Sequence, residues 1–322
     1  MAAHYLEFER PIADLENKIE ELSKLSETAG PGSFDAEIEA LRARAQELRR
    51  TAYAKLDAWQ KTQVARHPDR PHFVDYCAGL IDEFVELRGD RKFADDQAII
   101  GGLGRFRGRP VVVMGHEKGR DTVGRVKHNF GYARPEGYRK AIRLMDLAEK
   151  FNLPVLSFVD TSAAYPGVAS EERGVAEAIA RSTERSLTLG VPMIAVVTGE
   201  GGSGGALGIA CGSRVLMLEH AIYSVIPPEG ANAILWRGGR TAEEAAKAMK
   251  ITAQDLLALK VIDRIIPEPA GGAHSDPDAV IRAVGEAVDE ELTALEPLDA
   301  DEIRKRRADR FYAIGRLDGR GN

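Results

Sequence analysis

A glycine-rich segment carries the clearest chemical signal in this chain. Residues 199–207 read Gly-Glu-Gly-Gly-Ser-Gly-Gly-Ala-Leu and follow the apolar run 191–197. This pattern predicts a strand that turns into a helix, where five glycines allow positive φ and let a ligand approach the main chain. The N–H groups at the start of that helix would point toward a negative charge. We therefore predict an anion-binding cradle made of backbone amides.

Four explanations of this segment compete. A phosphate-binding P-loop needs a Lys and a Ser or Thr after its last glycine, and Ala206 and Leu207 exclude it. The dinucleotide fingerprint fits residues 199–204, with Glu219 at about the distance of a ribose-binding acid, but residues 206–214 leave little room for a crossover helix. An oxyanion hole for acyl or carboxyl chemistry is the third explanation, and a tightly packed turn without chemistry is the fourth.

Two further segments carry candidate chemistry. The loop 160–167 follows the apolar run 155–159, and loops at the ends of neighbouring parallel strands lie side by side, which predicts it beside the cradle. A basic segment upstream is a candidate to bind the phosphates of a ligand, a carboxylate or acidic residues of a partner subunit. The alternative is that it forms a solvated face. Its members are Lys118, Arg120, Arg125, Lys127, His128 and Arg134. The acids Glu171 and Glu172 are expected in a helix first turn, without a catalytic role.

Alternating elements must position these segments. Apolar strand candidates lie at residues 111–114, 155–159, 193–197 and 215–218. Amphipathic helical patterns that start at Pro135 and near Val175 separate the first three of them. Strand and helix alternate, which predicts an α/β architecture with largely parallel pairing.

Both ends of the chain are predicted to be helical. Apolar residues at helical spacing before and after the loop 29–33 predict a hairpin, and the segment 65–71 then breaks the pattern. In this connecting segment we expect His67 to form loop hydrogen bonds. A final helical region includes the basic run 304–307, expected to be a solvated face. We predict a hairpin region, a core and a C-terminal helical region, with bounds 1–64, 65–270 and 271–322.

Composition narrows the classes of function. The chain has 322 residues, 44% of them hydrophobic, and a formal charge of −6, which does not favour nucleic-acid binding through its overall field. Cys77 and Cys211 lie far apart, so neither a disulfide framework nor a cysteine zinc site is indicated. No apolar run approaches the ~18 residues of a membrane span. We expect a cytoplasmic protein that contacts neither membrane nor nucleic acid.

Several motifs in order resemble one family. They are residues 8–12, 115–120, 135–140, 164–167, 171–174, 199–207, 223–226, 265–269 and 271–274. Together they resemble the α subunit of the bacterial acetyl-CoA carboxylase carboxyltransferase over nearly the whole chain. The resemblance implies a crotonase-like fold, in which ββα units wind into a spiral. It also implies an assembly of two α and two β subunits with active sites at the α/β contact.

The family's chemistry is carboxyl transfer. The resemblance implies that the carboxyl group of N-carboxybiotin, held on a biotin carboxyl carrier protein, passes to acetyl-CoA to give malonyl-CoA for fatty-acid synthesis. The β subunit would carry a zinc ribbon and this chain no metal. ATP would be used only by the biotin carboxylase of the wider complex.

The resemblance implies that the cradle faces biotin, and we predict the site residues from that placement. The N–H groups of Gly204 and Gly205, with Ala206 beside them, would form the oxyanion hole that faces biotin. Biotin contacts are expected from Tyr165, Ala163, Ala164, Gly167, Gly201 and Gly202. Anion contacts are expected from Lys118 and Arg120.

Some positions depart from the family pattern. Ser162 and Ala163 stand where the family usually has Pro-Gly, Pro227 replaces a serine, and Asn232 is unusual. If position 163 needs positive φ, Ala163 would strain its loop, and Pro227 removes a backbone donor. An altered acyl-CoA preference is therefore one hypothesis. A stand-alone hydratase or hydrolase with Glu200 as its acid, and a scaffold without turnover, are the alternatives.

Overall fold

A mixed sheet of eight strands organises the structure, a computed structural model that describes residues 4–29 and 34–316. The strands are β1 (Ile81–Glu86), β2 (Ile99–Phe106), β3 (Arg109–His116), β4 (Val155–Thr161), β5 (Met193–Gly202), β6 (Arg214–Leu218), β7 (Ile222–Ser224) and β8 (Arg264–Ile266). Their order is β1-β2-β3-β4-β5-β6-β8, and β7 pairs with the end of β5. From β3 onward all pairs are parallel, as predicted.

Helices surround this sheet. They are α1 (Arg10–Ala29), α2 (Asp35–Tyr53), α3 (Ala58–Ala65), α4 (Phe73–Leu80), α5 (Thr122–Lys127), α6 (Pro135–Lys150), α7 (Val168–Glu172), α8 (Val175–Thr188), α9 (Ser203–Ala210), α10 (Pro228–Trp236), α11 (Ala242–Met249), α12 (Ala253–Ala258), α13 (Pro277–Leu295) and α14 (Ala300–Ala313). Helices α6, α8 and α9 pack on one another; α6 also packs against β2 and β3, and α9 against β4 and β5. Of the helices described here, none combines the length and apolarity that a membrane crossing requires.

The antiparallel strands β1 and β2 were not predicted. Their sequences lack a clear strand signal, because β1 is acidic and half exposed and β2 contains three glycines. In the sheet, those glycines allow close approach: a Cβ on Gly102 would collide with the Val85 carbonyl, and one on Gly104 with the Ile81 side chain. The sheet is therefore mixed and not wholly parallel.

The predicted N-terminal hairpin is present as α1 packed against α2. Its connecting loop lies largely outside the described residues, at 30–33. The Tyr53 hydroxyl donates to Glu9 Oε1 over 2.7 Å, and this buried bond ties the end of α2 to the turn before α1. His67 donates to the His4 carbonyl and accepts from the Asp69 amide, the loop role predicted for it. The bounds at residues 64 and 270 stay predictions.

The expectation of a fully solvated basic run in α14 was wrong. Arg307 is completely buried, and its guanidinium donates to the Val191 carbonyl over 2.9 Å and to Ser213 Oγ over 2.6 Å. Burial lowers the pKa of Arg307 to about 10. Ile303 lies one helical turn earlier and is buried too, so one stripe of α14 faces the core.

Candidate functional site

The glycine-rich segment is a strand that continues directly into a helix. β5 extends to Gly202, and its last residues pair with β4 on one side and β7 on the other. α9 then begins at Ser203, the only residue of the segment with positive φ, at 56°. The expectation that glycines here adopt positive φ was therefore wrong. A dinucleotide site is also excluded, because residues 199–202 belong to a paired strand and not to a phosphate-binding turn.

These glycines are needed for close packing. A Cβ on Gly202 would collide with the Ser162 carbonyl, and one on Gly205 would lie 2.5 Å from the Ala163 carbonyl carbon. A Cβ on Gly199 would overlap the carboxylate of Asp160. The loop after β4 therefore lies directly against the β5–α9 junction, which confirms that the two predicted segments are neighbours.

The predicted cradle residues form the first turn of α9. No side chain among residues 4–29 and 34–316 caps this helix, so its first N–H groups have no partner of the kind that usually satisfies them. Gly204 is half buried, whereas Gly205 and Ala206 are buried. Gly201 and Gly202 lie behind them inside β5. The turn thus offers amides whose positive dipole end can stabilise an anion.

Three buried hydroxyl groups hold the carbonyl side of α9. Tyr138 of α6 donates to the Gly205 carbonyl over 3.3 Å. Ser182 of α8 donates to the Gly208 carbonyl and Ser157 of β4 to the Ile209 carbonyl, each over 2.6 Å. These roles could not be predicted from the sequence, since a hydroxyl on a buried face of a helix or strand gives no signal of what it binds.

A cavity of 460 Å³ opens at the start of α9. Ser203 and Gly204 line it where the helix begins, and Ser224 and Lys250 add further polar groups. Its other walls are mainly apolar, from Leu207, Tyr223, Val225, Met249, Ile251, Leu256, Leu259 and Val261. Such a cavity suits an apolar ligand that presents one polar group to the amides.

Glu200, the acid of the hydratase alternative, is locked in an ion pair. It is 1% exposed, and Arg66 binds it through Nη2 and Nε over 2.7 and 2.9 Å. Ser162 Oγ also donates to Glu200 over 2.8 Å. Burial alone would raise the pKa of Glu200, but the bonds from Arg66 lower it overall. A carboxylate held ionised in this way is a poor general acid at neutral pH.

The two predicted anion contacts already have acidic partners in this chain. Lys118 Nζ lies 2.5 Å from Asp160, and Arg120 pairs with Asp75. Asp160 also accepts from the Glu200 amide over 2.8 Å, so it joins the Lys118 loop to β5. An additional anion at Lys118 or Arg120 would have to compete with these acids.

Tyr165 lies half buried in the loop beside the cradle. The Arg134 guanidinium lies 5.0 Å from its ring centroid, and the ring packs over Gly167, where a Cβ would not fit. Its backbone amide donates to the Ala133 carbonyl over 2.9 Å. Tyr165 is therefore fixed by neighbours on two sides.

One group of side chains among the described residues has the composition of a metal site. It comprises Glu9, His67 and His274. However, the two rings stack with centroids 3.6 Å apart and planes 11° apart, so their in-plane lone pairs run parallel and do not converge. Both nitrogens of His67 are also hydrogen-bonded. The group forms a packing contact between the hairpin and the core.

The departures from the family pattern fit locally without strain. Ala163 does not have positive φ. Pro227 caps α10 and Pro228 follows it at the first helical position, where a missing N–H costs little. The Asn232 side chain binds the main chain of Arg240 through both its oxygen and its nitrogen. The expected loop strain is therefore absent at these positions.

Comparisons with known proteins support one family. A family model described as acetyl co-enzyme A carboxylase carboxyltransferase-like matches residues 5–315. The acetyl-coenzyme A carboxylase carboxyl transferase subunit alpha of Phenylobacterium zucineum (strain HLK1) is 80% identical over 98% of this chain and 99% of its own length. The subunit of the same name from Methylobacterium nodulans is 62% identical over 97% of this chain and 98% of its own length.

Solved structures share the fold. Transcarboxylase 12S with hydrolysed methylmalonyl-coenzyme A superposes with a TM-score of 0.56 at 21% identity, over 70% of this chain and 41% of that one. A Pseudomonas malonate decarboxylase hetero-tetramer in complex with coenzyme A gives 0.56 at 18% identity, over 69% of this chain and 89% of that one. The crotonase-like fold is thereby confirmed, and the chain belongs to the acetyl-CoA carboxylase carboxyltransferase family, among its alpha subunits.

Proposed function

We propose that this chain is the α subunit that presents biotin for carboxyl transfer to acetyl-CoA, and that the first turn of α9 is its oxyanion hole. The observation that carries the proposal is the uncapped N-terminus of α9 at the edge of the 460 Å³ cavity. The amides of Gly204 and Gly205 are the donors, with the Ala206 amide next to them. The apolar walls suit the rings of biotin.

The reaction needs electrostatic stabilisation more than side-chain acids. Carboxybiotin releases CO₂ when its N–C bond breaks, and the electron pair remains on the ureido group. The ureido anion then takes a proton from the acetyl methyl group, and the enolate so formed attacks CO₂ to give malonyl-CoA. Prearranged amides lower the energy of the ureido anion, and the substrate itself supplies the base. The ion pair of Glu200 agrees with this mechanism, because the reaction does not require Glu200 as an acid or a base.

An apolar groove supports a contact with the β subunit. It is lined mainly by Ala176, Ile179, Ala180, Leu187 and Leu207. Leu207 is 40% exposed and also borders the 460 Å³ cavity, so the groove and the cavity are continuous. Exposed apolar surface beside an active cavity is typical of a subunit contact. We assign it to a zinc-ribbon β subunit that supplies the coenzyme A contacts, in an α₂β₂ assembly.

The remaining partners follow from the reaction. A biotin carboxyl carrier protein must bring carboxybiotin to the cavity, and a biotin carboxylase must charge it with ATP. Ser162 bonds to Glu200, and Ala163 and Pro227 fit their loops without backbone strain, which supports acetyl-CoA as the acyl substrate. Tyr165, Ala164 and Gly167 are the proposed loop contacts on the biotin side.

A pair of substitutions at Gly204 tests the amide role. A Cβ there meets only Ile179, at 3.4 Å, so Gly204→Ala adds a side chain at a tolerant position. Gly204→Pro removes the N–H and also restricts the backbone of Ser203, which precedes it. With the β subunit added, malonyl-CoA formation by Gly204→Pro should fall about 10²- to 10³-fold below that of Gly204→Ala, the usual cost of one oxyanion donor. Circular dichroism and melting temperature would verify folding. Equal rates for two folded variants would contradict the oxyanion role.

A further inference from the structure

Ser203 stands at the one strained backbone position of the glycine-rich segment. Its φ is 56°, a left-handed conformation that disfavours side chains with a Cβ and suits glycine. Residues 201, 202, 204 and 205 are all glycine, yet none of them occupies this conformation. A serine is therefore present where glycine would cost less conformational energy, so its hydroxyl must contribute something that the backbone does not.

The Ser203 hydroxyl has no hydrogen-bond partner in the part of the chain that the structure describes. It forms no hydrogen bond with any of the residues at 4–29 and 34–316, whereas the neighbouring hydroxyls of Ser162, Ser157 and Ser182 each bind a carboxylate or carbonyl. Ser203 is half buried and lines the 460 Å³ cavity beside Gly204, at the end of the cavity where α9 begins. It is the only side chain between Gly201 and Gly205.

We infer that the Ser203 hydroxyl is a third donor of the oxyanion hole and binds the ureido oxygen of biotin. This inference rests on the proposed function. The hydroxyl donates a hydrogen bond and keeps its proton while the N–C bond of carboxybiotin breaks and negative charge develops on the ureido oxygen. Because the bond strengthens as charge develops, it contributes to kcat and to kcat/KM for biotin. It does not contribute to the binding of coenzyme A.

The test compares Ser203→Ala and Ser203→Gly in the complex with the β subunit. Alanine removes the hydroxyl and keeps the strain, whereas glycine removes both. Carboxylation of free biotin by malonyl-CoA, the reverse reaction, reports kcat/KM for biotin and KM for malonyl-CoA separately. Both variants should lose about 10- to 100-fold in kcat/KM for biotin, the effect of one hydrogen bond to a charged group. KM for malonyl-CoA should not change.

Melting temperature separates this role from a structural one. Ser203→Gly should melt at or above the wild-type temperature because the strain is relieved, although its activity is low. Asn152→Gly is the matched control: Asn152 has φ of 53° and precedes β4, at the end of the strand remote from α9, so its kinetics should match the wild type. Wild-type kinetics in both Ser203 variants would overturn the inference alone. An inactive wild-type complex would overturn the proposed function and this inference together.

Discussion

At the scale of single residues, Tyr138 holds α9 at two points. Its hydroxyl donates to the Gly205 carbonyl, and its ring packs so closely on Gly208 that a Cβ there would lie 2.6 Å from the ring. The Gly205 carbonyl shares its peptide plane with the Ala206 amide. A group that orients the carbonyl therefore also orients a candidate donor of the oxyanion hole.

We predict that Tyr138→Phe lowers kcat several-fold and the free energy of unfolding by about 0.5–1.5 kcal/mol, because it removes one buried hydrogen bond and keeps the ring. Steady-state kinetics with the β subunit and urea unfolding measure the two effects. Ser186→Ala is the control, since the Ser186 hydroxyl is buried but binds Ser182 and Met145 and does not contact α9. It should lose stability without loss of kcat. A Tyr138→Phe enzyme with wild-type kcat would show that this bond does not orient the site.

At the scale of elements, α9 is a short helix that neighbouring elements hold in place. It has eight residues, and contacts from α6, α8 and β4 fix its carbonyl end while its N-terminus stays uncapped. This asymmetry is costly for a helix alone but useful for a site, because the unpaired amides are held in place without a partner of their own.

Gly208→Ala should disturb this element. The added Cβ would overlap the Tyr138 ring, so we expect α9 to shift, kcat to fall at least 10-fold, and unfolding free energy to fall by about 1–3 kcal/mol. Gly285→Ala in α13 is a fair comparison, because its Cβ would lie 2.7 Å from the Leu80 side chain and far from α9. If both variants lose stability but only Gly208→Ala loses kcat, packing of α9 is tied to catalysis. Equal kcat in both would argue against that link.

At the scale of the whole molecule, three buried titratable groups make the stability of the fold depend on pH. Burial lowers the pKa of His116 to about 4, and burial with nearby His67 and Arg70 lowers that of His274 to about 3. Burial would raise the pKa of Glu268, but Arg70, which binds it over 2.8 Å, lowers it to about 2. In each case the unfolded chain binds protons more readily than the folded chain.

The unfolding free energy should therefore fall as the pH falls. The histidines contribute between their ordinary pKa near 6.5 and their folded values, and Glu268 contributes between 4.5 and about 2. Stability should be nearly constant just above pH 6.5 and decline below it. Urea titrations from pH 7.5 to 4 would measure the slope, and His274→Asn should reduce it by up to about 1.4 kcal/mol per pH unit. An unchanged slope in a folded variant would exclude His274 as a source.

Local sequence determined much of this protein. Apolar runs and amphipathic spacing correctly predicted four buried parallel strands, the helices between them and the N-terminal hairpin, because these patterns reflect burial of one face or of a whole strand. The position of the cradle after β5 followed from the same logic, and the ordered motifs identified the family. Which side chains contact biotin stays a prediction, since it depends on a ligand and a partner.

The tertiary structure decided what depends on contacts between distant residues. Only the fold shows that the glycines at 199–205 serve close packing, and that the left-handed position belongs to Ser203. Likewise, Glu200 forms an ion pair because the fold brings Arg66, which is far away in sequence, beside it. Arg307 can be buried because its guanidinium donates to carbonyls of another segment. Local sequence patterns predict which residues are buried. The partners of buried polar groups are fixed only when the chain brings remote segments together.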